Sequence, residues 1–482
     1  MFDLRPILLV VGILLTTLGC AMLVPAIFDL ALNDPDWVVF AASAGFTLFV
    51  GISLAMVTWG RTEYLSVKQA FVLTNVSWIA LAAFAAMPIS LADIDLNYTD
   101  AFFEAMSGLT TTGSTVIIGL DEAPPGLLLW RGLLQWLGGI GIIVMAIAVL
   151  PMLQVGGMQL FRMESSDTSE KILPRATQIA GSITIIYITL TAACALSYLA
   201  AGMGPFDALV HAMTTIATGG FSNHDDSIAW FNSAAVDIVG AGYMLLGSIP
   251  FVLYLQAVRG DAQPLLQDSQ VRFFLGLVAV LVLLAWSYEI SVGAERTGRA
   301  LQLATFNVIS IVTGTGYATT DYGQWGPFAT AFFFCIMFVG GCAGSTSCGI
   351  KIFRFQVVLQ MLKVYLHRIL YPHGVFVPRY NGRPLADNVT AAVLSFFFLF
   401  FICFIAVALV LNIMGLDNVT AMSAAASAIS NVGPGLGDVI GPTGNYALLP
   451  DAAKWVLAFA MLIGRLEIFT VLVMFSPVFW RH

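Results

Sequence analysis

Charge is what this chain has least of. Lysine, arginine, aspartate and glutamate make up 10% of its 482 residues, where an ordinary soluble protein carries about a quarter. With 59% of its residues hydrophobic, the chain cannot be a soluble globule, and the surplus apolar surface needs lipid around it. The formal balance is acidic, at -8, so nucleic acid is not the default partner. Cysteine is scarce as well. Cys20, Cys194, Cys335, Cys342, Cys348 and Cys403 lie mostly inside apolar segments and form no secreted disulfide framework. Cys342 and Cys348 flank a small-residue loop, a spacing that metal sites rarely use alone. The five histidines, His211, His224, His367, His373 and His482, are scattered, and no nucleophile or metal cluster gathers at one depth, which argues against an enzyme. No Gly-x-x-x-x-Gly-Lys-Ser/Thr run and no dinucleotide fingerprint occurs in a polar segment. The chain therefore encodes no energy source and no organic cofactor site.

Long apolar runs are what it has instead. Segments near 6–30, 39–60, 68–91, 127–150, 177–201, 234–258, 272–292, 326–350, 389–413 and 452–475 are each long enough to cross a bilayer core, which gives ten expected spans. The first, from Pro6 to Leu30, is too long for a signal peptide and is read as a retained helix. Most basic residues, among them Arg5, Arg61, Lys68, Arg162, Lys171, Arg175, Arg259, Arg272, Lys351, Arg354, Lys363 and Arg368, fall on one side of this arrangement. That side is expected to be cytoplasmic, with both termini inside. Shorter segments near 100–112, 205–218, 300–313 and 418–430 are too short to span and are bounded by glycine, so they are read as re-entrant helices. All four lie on the opposite, acidic side. That side concentrates cations at its mouth, although positive-inside topology alone leaves acids there.

The short segments repeat. Asp100-Ala101-Phe102-Phe103-Glu104-Ala105-Met106 resembles Asp207-Ala208-Leu209-Val210-His211-Ala212-Met213, and the same shift carries Gly113 onto Gly220. Val312-Thr313-Gly314-Thr315-Gly316-Tyr317 and Asn431-Val432-Gly433-Pro434-Gly435 fit the same register. Six residues before Gly113, Gly220, Gly316 and Gly433 stand Ser107, Thr214, Ser310 and Ser427, a hydroxyl in every copy. A pore that strips a cation of water must replace its hydration shell with oxygen ligands, and stacked backbone carbonyls can supply them. Glycine reaches the left-handed angles that such stacking demands. A short helix ending at the loop turns its negative end toward the ion. The expected fold is an all-α integral membrane protein. It has four parallel pseudo-repeats of helix, pore loop and helix around a central pore, plus two extra N-terminal transmembrane helices.

At these residues the chain resembles the Trk/Ktr/HKT family of potassium transporters, and within it the Trk-type membrane subunit. The extra N-terminal pair of spans distinguishes that type from the shorter Ktr type. Thr111-Thr112-Gly113-Ser114, Thr218-Gly219-Gly220-Phe221-Ser222, Gly314-Thr315-Gly316 and Asn431-Val432-Gly433 look like that family's four degenerate filter sequences. The resemblance implies that these stretches bind potassium, the transported ion. It also implies that glycine rather than serine at 113 favours potassium over sodium. The implied division is 1–62 for the extra helices, 63–155, 171–260, 268–352 and 387–482 for the four repeats, and 353–386 for a basic cytoplasmic segment.

Two further features look like gates. Gly340, Gly341, Gly344, Ser345, Thr346 and Gly349 crowd one span and resemble the family's intramembrane loop beneath the filter, a close-packed helix interface being the other reading. Arg465 falls inside the last span, where charge is costly, and resembles a pore-facing arginine of the family. A structural salt bridge to Glu467 or a snorkelling side chain is the alternative. Glu467 is the one acid expected to be buried. By resemblance the chain would form a homodimer in the bacterial inner membrane, with one pore per chain. Its segment from Lys351 to Asp387 and its stretch from Phe161 to Arg175 would dock nucleotide-binding regulatory subunits of TrkA type. Potassium would flow through a gated pore under the membrane potential, with a proton- or sodium-coupled symporter as the alternative.

Overall fold

The computed structural model describes residues 3–60, 65–148, 172–293, 297–381 and 383–481, and at 146–148, 172–177, 383 and 387 it describes the backbone alone. The basic stretch from Phe161 to Lys171 lies outside the described residues. Except for a two-residue ribbon pairing Arg379–Tyr380 with Arg383–Pro384, the regular structure of the described residues is helical.

Among the described residues seven helices are long and apolar enough to cross a membrane unbroken: Arg5–Leu32, Trp37–Thr58, Val67–Leu91, Pro125–Met145, Gln178–Ala200, Ser269–Val292 and Asn388–Ile413. The other three expected spans are interrupted. Ala234–Gly247 and Phe251–Val258 meet at 90°, and Asp451–Arg465 and Ile468–Phe475 at 115°. The run near 326–350 departs furthest. Pro327–Ile336 is a helix of 10 residues, after which the chain runs irregularly until Ile352–Leu370 begins.

Each break has a local cause. Pro250 removes an amide and blocks the continuation of the first helix. The groups freed there are met by the glycine-rich loop. The Cys342 amide donates to the Ser248 carbonyl at 3.1 Å, that of Thr346 to Gly247 at 3.2 Å, and that of Phe251 to Gly344 at 3.0 Å. Irregular backbone at this depth is tolerated because protein, not lipid, satisfies it. In the last span the helix ends at Arg465, with Leu466 as its C-cap, and Glu467 takes a left-handed φ of 65° before the next helix begins at Ile468.

The four short helices are Tyr98–Leu109, Pro205–Ile216, Thr297–Val312 and Asn418–Ser430, each between two apolar helices. Their starts follow from capping. The Asn97 side chain accepts from the Asp100 amide at 2.9 Å, and Asp417 accepts from Val419 and Thr420 at 3.0 and 3.1 Å. Pro205 takes the first helical turn of the second, where its missing amide costs nothing. Almost every residue in their last two turns is buried, so all four converge inside the protein. The N-terminal pair, Arg5–Leu32 and Trp37–Thr58, packs on itself and on the first repeat.

Candidate functional site

All four short helices end in one way. Thr111, Thr218, Gly314 and Asn431 are left-handed, with φ of 51°, 49°, 72° and 52°. Their amides donate three residues back, to Gly108, Thr215, Ile311 and Ala428, at 2.9, 3.0, 3.0 and 3.3 Å. The next amides, of Thr112, Gly219, Thr315 and Val432, donate five residues back, to Ser107, Thr214, Ser310 and Ser427, at 2.8, 2.8, 2.9 and 3.0 Å. This pair of bonds around a left-handed residue is a Schellman ending. The recurring hydroxyl position is thus the residue whose carbonyl anchors it. Threonine resists this conformation, at roughly 1–3 kcal/mol per residue. Its presence at 111 and 218 marks strain held by the surrounding protein.

Two residues further on, Gly113, Gly220, Gly316 and Gly433 are left-handed again, at 87°, 80°, 84° and 106°. The residues between are not. Alternating handedness sets successive carbonyls on one side of the chain and amides on the other. These glycines also close a ring. A Cβ on Gly113 would stand 2.2 Å from the Gly219 carbonyl oxygen, on Gly220 1.8 Å from that of Thr315, on Gly316 2.0 Å from that of Val432, and on Gly433 2.8 Å from that of Thr112. Each loop therefore touches the next in chain order, and the fourth returns to the first. Thr111, Thr112, Thr218, Thr315 and Asn431 are fully buried.

A polar shell fixes the ring from outside. Arg131 and Glu104 form an ion pair at 2.8 Å, both fully buried. Arg131 also donates to the Ser222 carbonyl at 2.8 Å and lies 4.2 Å over the Phe221 ring, while Glu104 accepts the Val116 amide at 2.9 Å. The pair thus staples the segments that follow the first and second glycine loops. Gln135 spans the second loop, donating to the Gly219 carbonyl at 2.6 Å and accepting from the Phe221 amide at 3.0 Å. Asn431 donates to the Thr112 hydroxyl at 2.8 Å and to the Met461 carbonyl at 2.9 Å. At the mouth, His224 lies 2.5 Å from Asp121 and 3.5 Å from Asp207. Partial burial works against its charge, but Asp207 and Asp121 outweigh it and hold its pKa above the ordinary histidine value.

The glycine-rich loop lies directly against the starts of these loops. Ser347 donates to the Thr313 carbonyl at 2.6 Å, the Thr218 hydroxyl donates to that of Thr346 at 3.3 Å, and Thr111 Oγ1 lies 3.6 Å from Cys348 Sγ. The loop is closed on itself by Gly340 to Ile350 at 3.0 Å, Gly341 to Ser347 at 2.8 Å, and Ser345 to Cys342 at 2.6 Å. Arg465, from the fourth repeat, reaches under it. Its guanidinium donates to the Thr346 carbonyl at 3.1 Å, to Cys348 Sγ at 2.6 Å, and to the Gly138 carbonyl at 3.2 Å. Below lies a cavity of about 40 Å³, lined by Gly349, Lys351, Arg354, Arg465, Glu467 and Phe396 among others. That is room for only a few waters.

The structure thus brings the sequence-selected filter and gate residues together, the loop and Arg465 meeting at the base of the ring. It corrects one expectation and disfavours one alternative. Glu467 is not the one buried acid, since Asp29, Glu104, Asp237 and Glu289 are all more deeply buried. The alternative of a salt bridge between Arg465 and Glu467 is not formed: Glu467 bonds Arg354 at 2.5 Å, whose guanidinium stacks 3.6 Å from the Phe396 ring. Cys342 and Cys348 are both buried free thiols, and among the described residues no three His, Cys, Asp or Glu side chains gather to hold a metal. Gln135 and the Arg131–Glu104 pair escaped sequence reasoning. Their only trace is polarity inside apolar runs: Arg and Gln in Leu-Leu-Leu-Trp-Arg-Gly-Leu-Leu-Gln, and Glu in Phe-Phe-Glu-Ala-Met.

The family model described as "TrkH: Cation transport protein" matches residues 38–481. The chain is 47% identical over 478 residues to the Trk system potassium uptake protein TrkI of Halomonas elongata, covering 99% of this chain and 97% of that one. It is 36% identical over 490 residues to the Trk system potassium uptake protein TrkH of Escherichia coli strain K12, covering 99% of each. The crystal structure of the potassium transporter TrkH from Vibrio parahaemolyticus superimposes with a TM-score of 0.92 at 36% identity, over 100% of both chains. Four buried glycine loops in a ring, together with these matches along nearly the whole chain, place it by sequence and fold in the TrkH family of cation transport proteins, to which this chain belongs.

Proposed function

We propose that this chain takes up potassium through a selective, gated pore driven by the membrane potential. The observation that carries this reading is the ring itself. Four glycines in register each face a carbonyl of the next repeat, so the chain builds a closed oxygen-lined constriction without any ionisable ligand. Carbonyl rings suit a weakly hydrated monovalent cation. The relatives' names, Trk system potassium uptake proteins, support potassium as that ion. The glycine-rich loop and Arg465 are the gate: the loop fills the space under the filter, and the arginine adds a positive charge on the path and a latch on the loop.

The word "system" in those names supports a multi-component assembly. In this reading the chain forms a homodimer in the bacterial inner membrane, both termini cytoplasmic, with nucleotide-binding regulatory subunits docked on the basic segment. Helix Ile352–Leu370 supports a docking role, because Leu359, Leu362, Leu366 and Ile369 are exposed beside Lys363 and Arg368.

Rubidium uptake into liposomes holding the purified chain, with potassium and sodium as competitors, tests the proposal. Saturable uptake blocked by potassium far better than by sodium is expected, and Gly113→Ser weakens that preference because its Cβ pushes on the Gly219 carbonyl. Equal competition by both ions would overturn it, and uptake that required an imposed proton gradient would replace the pore with a coupled symporter.

A further inference from the structure

The four loops are not equal at the level of the filter glycines. The Gly433 carbonyl accepts three hydroxyl donors: Ser114 at 2.8 Å, Ser427 at 2.8 Å and Tyr446 at 2.9 Å. Among the described residues no donor reaches the carbonyls of Gly113, Gly220 or Gly316. The hydroxyl residues matching Ser427 behave differently in the other copies. Ser310 donates to the Tyr317 carbonyl at 2.7 Å, Thr214 to the Val210 carbonyl of its own helix at 3.2 Å, and the buried Ser107 hydroxyl has no partner among the described residues. Backbone geometry agrees: φ is 106° at Gly433 against 80–87° at the other three, and its approach to the neighbouring loop is the loosest of the four.

A carbonyl oxygen has two lone pairs. Three hydroxyls directed at one oxygen use both, and nothing remains to ligate a cation. We infer that Ser114, Ser427 and Tyr446 withdraw the Gly433 carbonyl from the pore, so that the filter offers three carbonyl ligands, not four, at this level, and that these hydroxyls set ion affinity and selectivity as positioning residues. Tyr446 is built for this task. Its amide donates to the Thr115 carbonyl at 2.8 Å and its ring packs 5.5 Å from that of Phe103, so its hydroxyl is carried on the first repeat as firmly as on the fourth. A site short of one ligand holds potassium less tightly, and weak holding is what lets an ion leave. The inference rests on the pore reading above.

The count of donors gives the test its signature. Removing one hydroxyl leaves two, enough to occupy the oxygen, whereas removing two frees a lone pair. Ser114→Ala and Tyr446→Phe, each alone, should therefore change the apparent KM for rubidium and the potassium-to-sodium preference by less than about twofold. The double variant should lower KM and raise the preference by about fivefold, a strongly non-additive result. Ser114→Thr in the Tyr446→Phe background restores the donor and with it the single-variant values. Mere loss of packing would give additive losses of flux with no gain in affinity. A double variant whose KM and preference equal the product of the singles, or whose preference falls, would overturn the inference. Failure of the wild-type chain to prefer potassium would instead sink the pore reading, which the same assay shows separately.

Discussion

Arg465 donates to the Thr346 carbonyl at 3.1 Å, and Thr346 in turn donates to the carbonyls of Ile216 and Gly247, both at 2.9 Å. One guanidinium from the fourth repeat is thereby joined through a loop of the third to the end of the second short helix. Arg465→Ala removes both the latch and the positive charge. Rubidium flux through the purified chain is expected to rise several-fold, and equal flux in variant and wild type would leave Arg465 a structural residue only.

The clearances within the ring predict an order of severity. Alanine at Gly220, Gly316 or Gly113 places a methyl 1.8–2.2 Å from a carbonyl oxygen, but at Gly433 the distance is 2.8 Å. Left-handed backbone adds strain at all four. Potassium preference should therefore collapse at least about tenfold in the first three variants, roughly 1.4 kcal/mol of lost discrimination, and less at Gly433. Competition assays on the four variants check the ranking.

Arg131→Met leaves the Glu104 carboxylate buried without its partner. Breaking a buried pair from one side costs about 3–5 kcal/mol, so thermal unfolding of the variant in detergent should fall by many degrees. Replacing both residues, Glu104→Gln with Arg131→Met, should recover part of the loss, since no unpaired charge remains.

The His224 clamp gives a pH dependence whose sign is fixed by its environment. Its pKa is raised in the folded protein, so its contribution is complete below the ordinary value of 6.5 and disappears as pH climbs through the higher folded value. Melting temperature should decline across neutral pH toward the alkaline side, and His224→Gln should flatten that part of the profile. Asp121, 31% exposed, keeps the effect modest.

The four glycine loops were legible in the sequence because their demands are on backbone, and backbone demands show as residue types at fixed spacing. Gly113, Gly220, Gly316 and Gly433 could be aligned, and the hydroxyls six residues earlier with them. Which loop touches which could not be read, because the contact of Gly316 with Val432 joins residues far apart in the chain. Glu104 and Arg131 were visible only as an acid and a base inside apolar runs, since hydropathy reports depth but not partners. The break at Glu467 was hidden for a related reason. Residues 452–475 are apolar enough for one straight span, and a left-handed φ at a glutamate leaves no mark in composition. The glycine-rich break at 340–349 was readable because there the residue type itself carries the conformation.

The order in which the filter glycines meet their neighbours, first repeat on second, second on third, third on fourth and fourth on first, is that of a cyclic tetramer whose subunits have been fused end to end. In a homotetramer every substitution is stamped on all corners at once. Fusion lifts that constraint. It lets one quadrant carry Asn431 where its neighbours carry threonine or glycine, and another hold the glycine-rich loop. It also lets Arg465 occur once against that loop, where four copies of its charge would repel one another. Asymmetry in this pore is a freedom that comes with carrying all four corners on one chain.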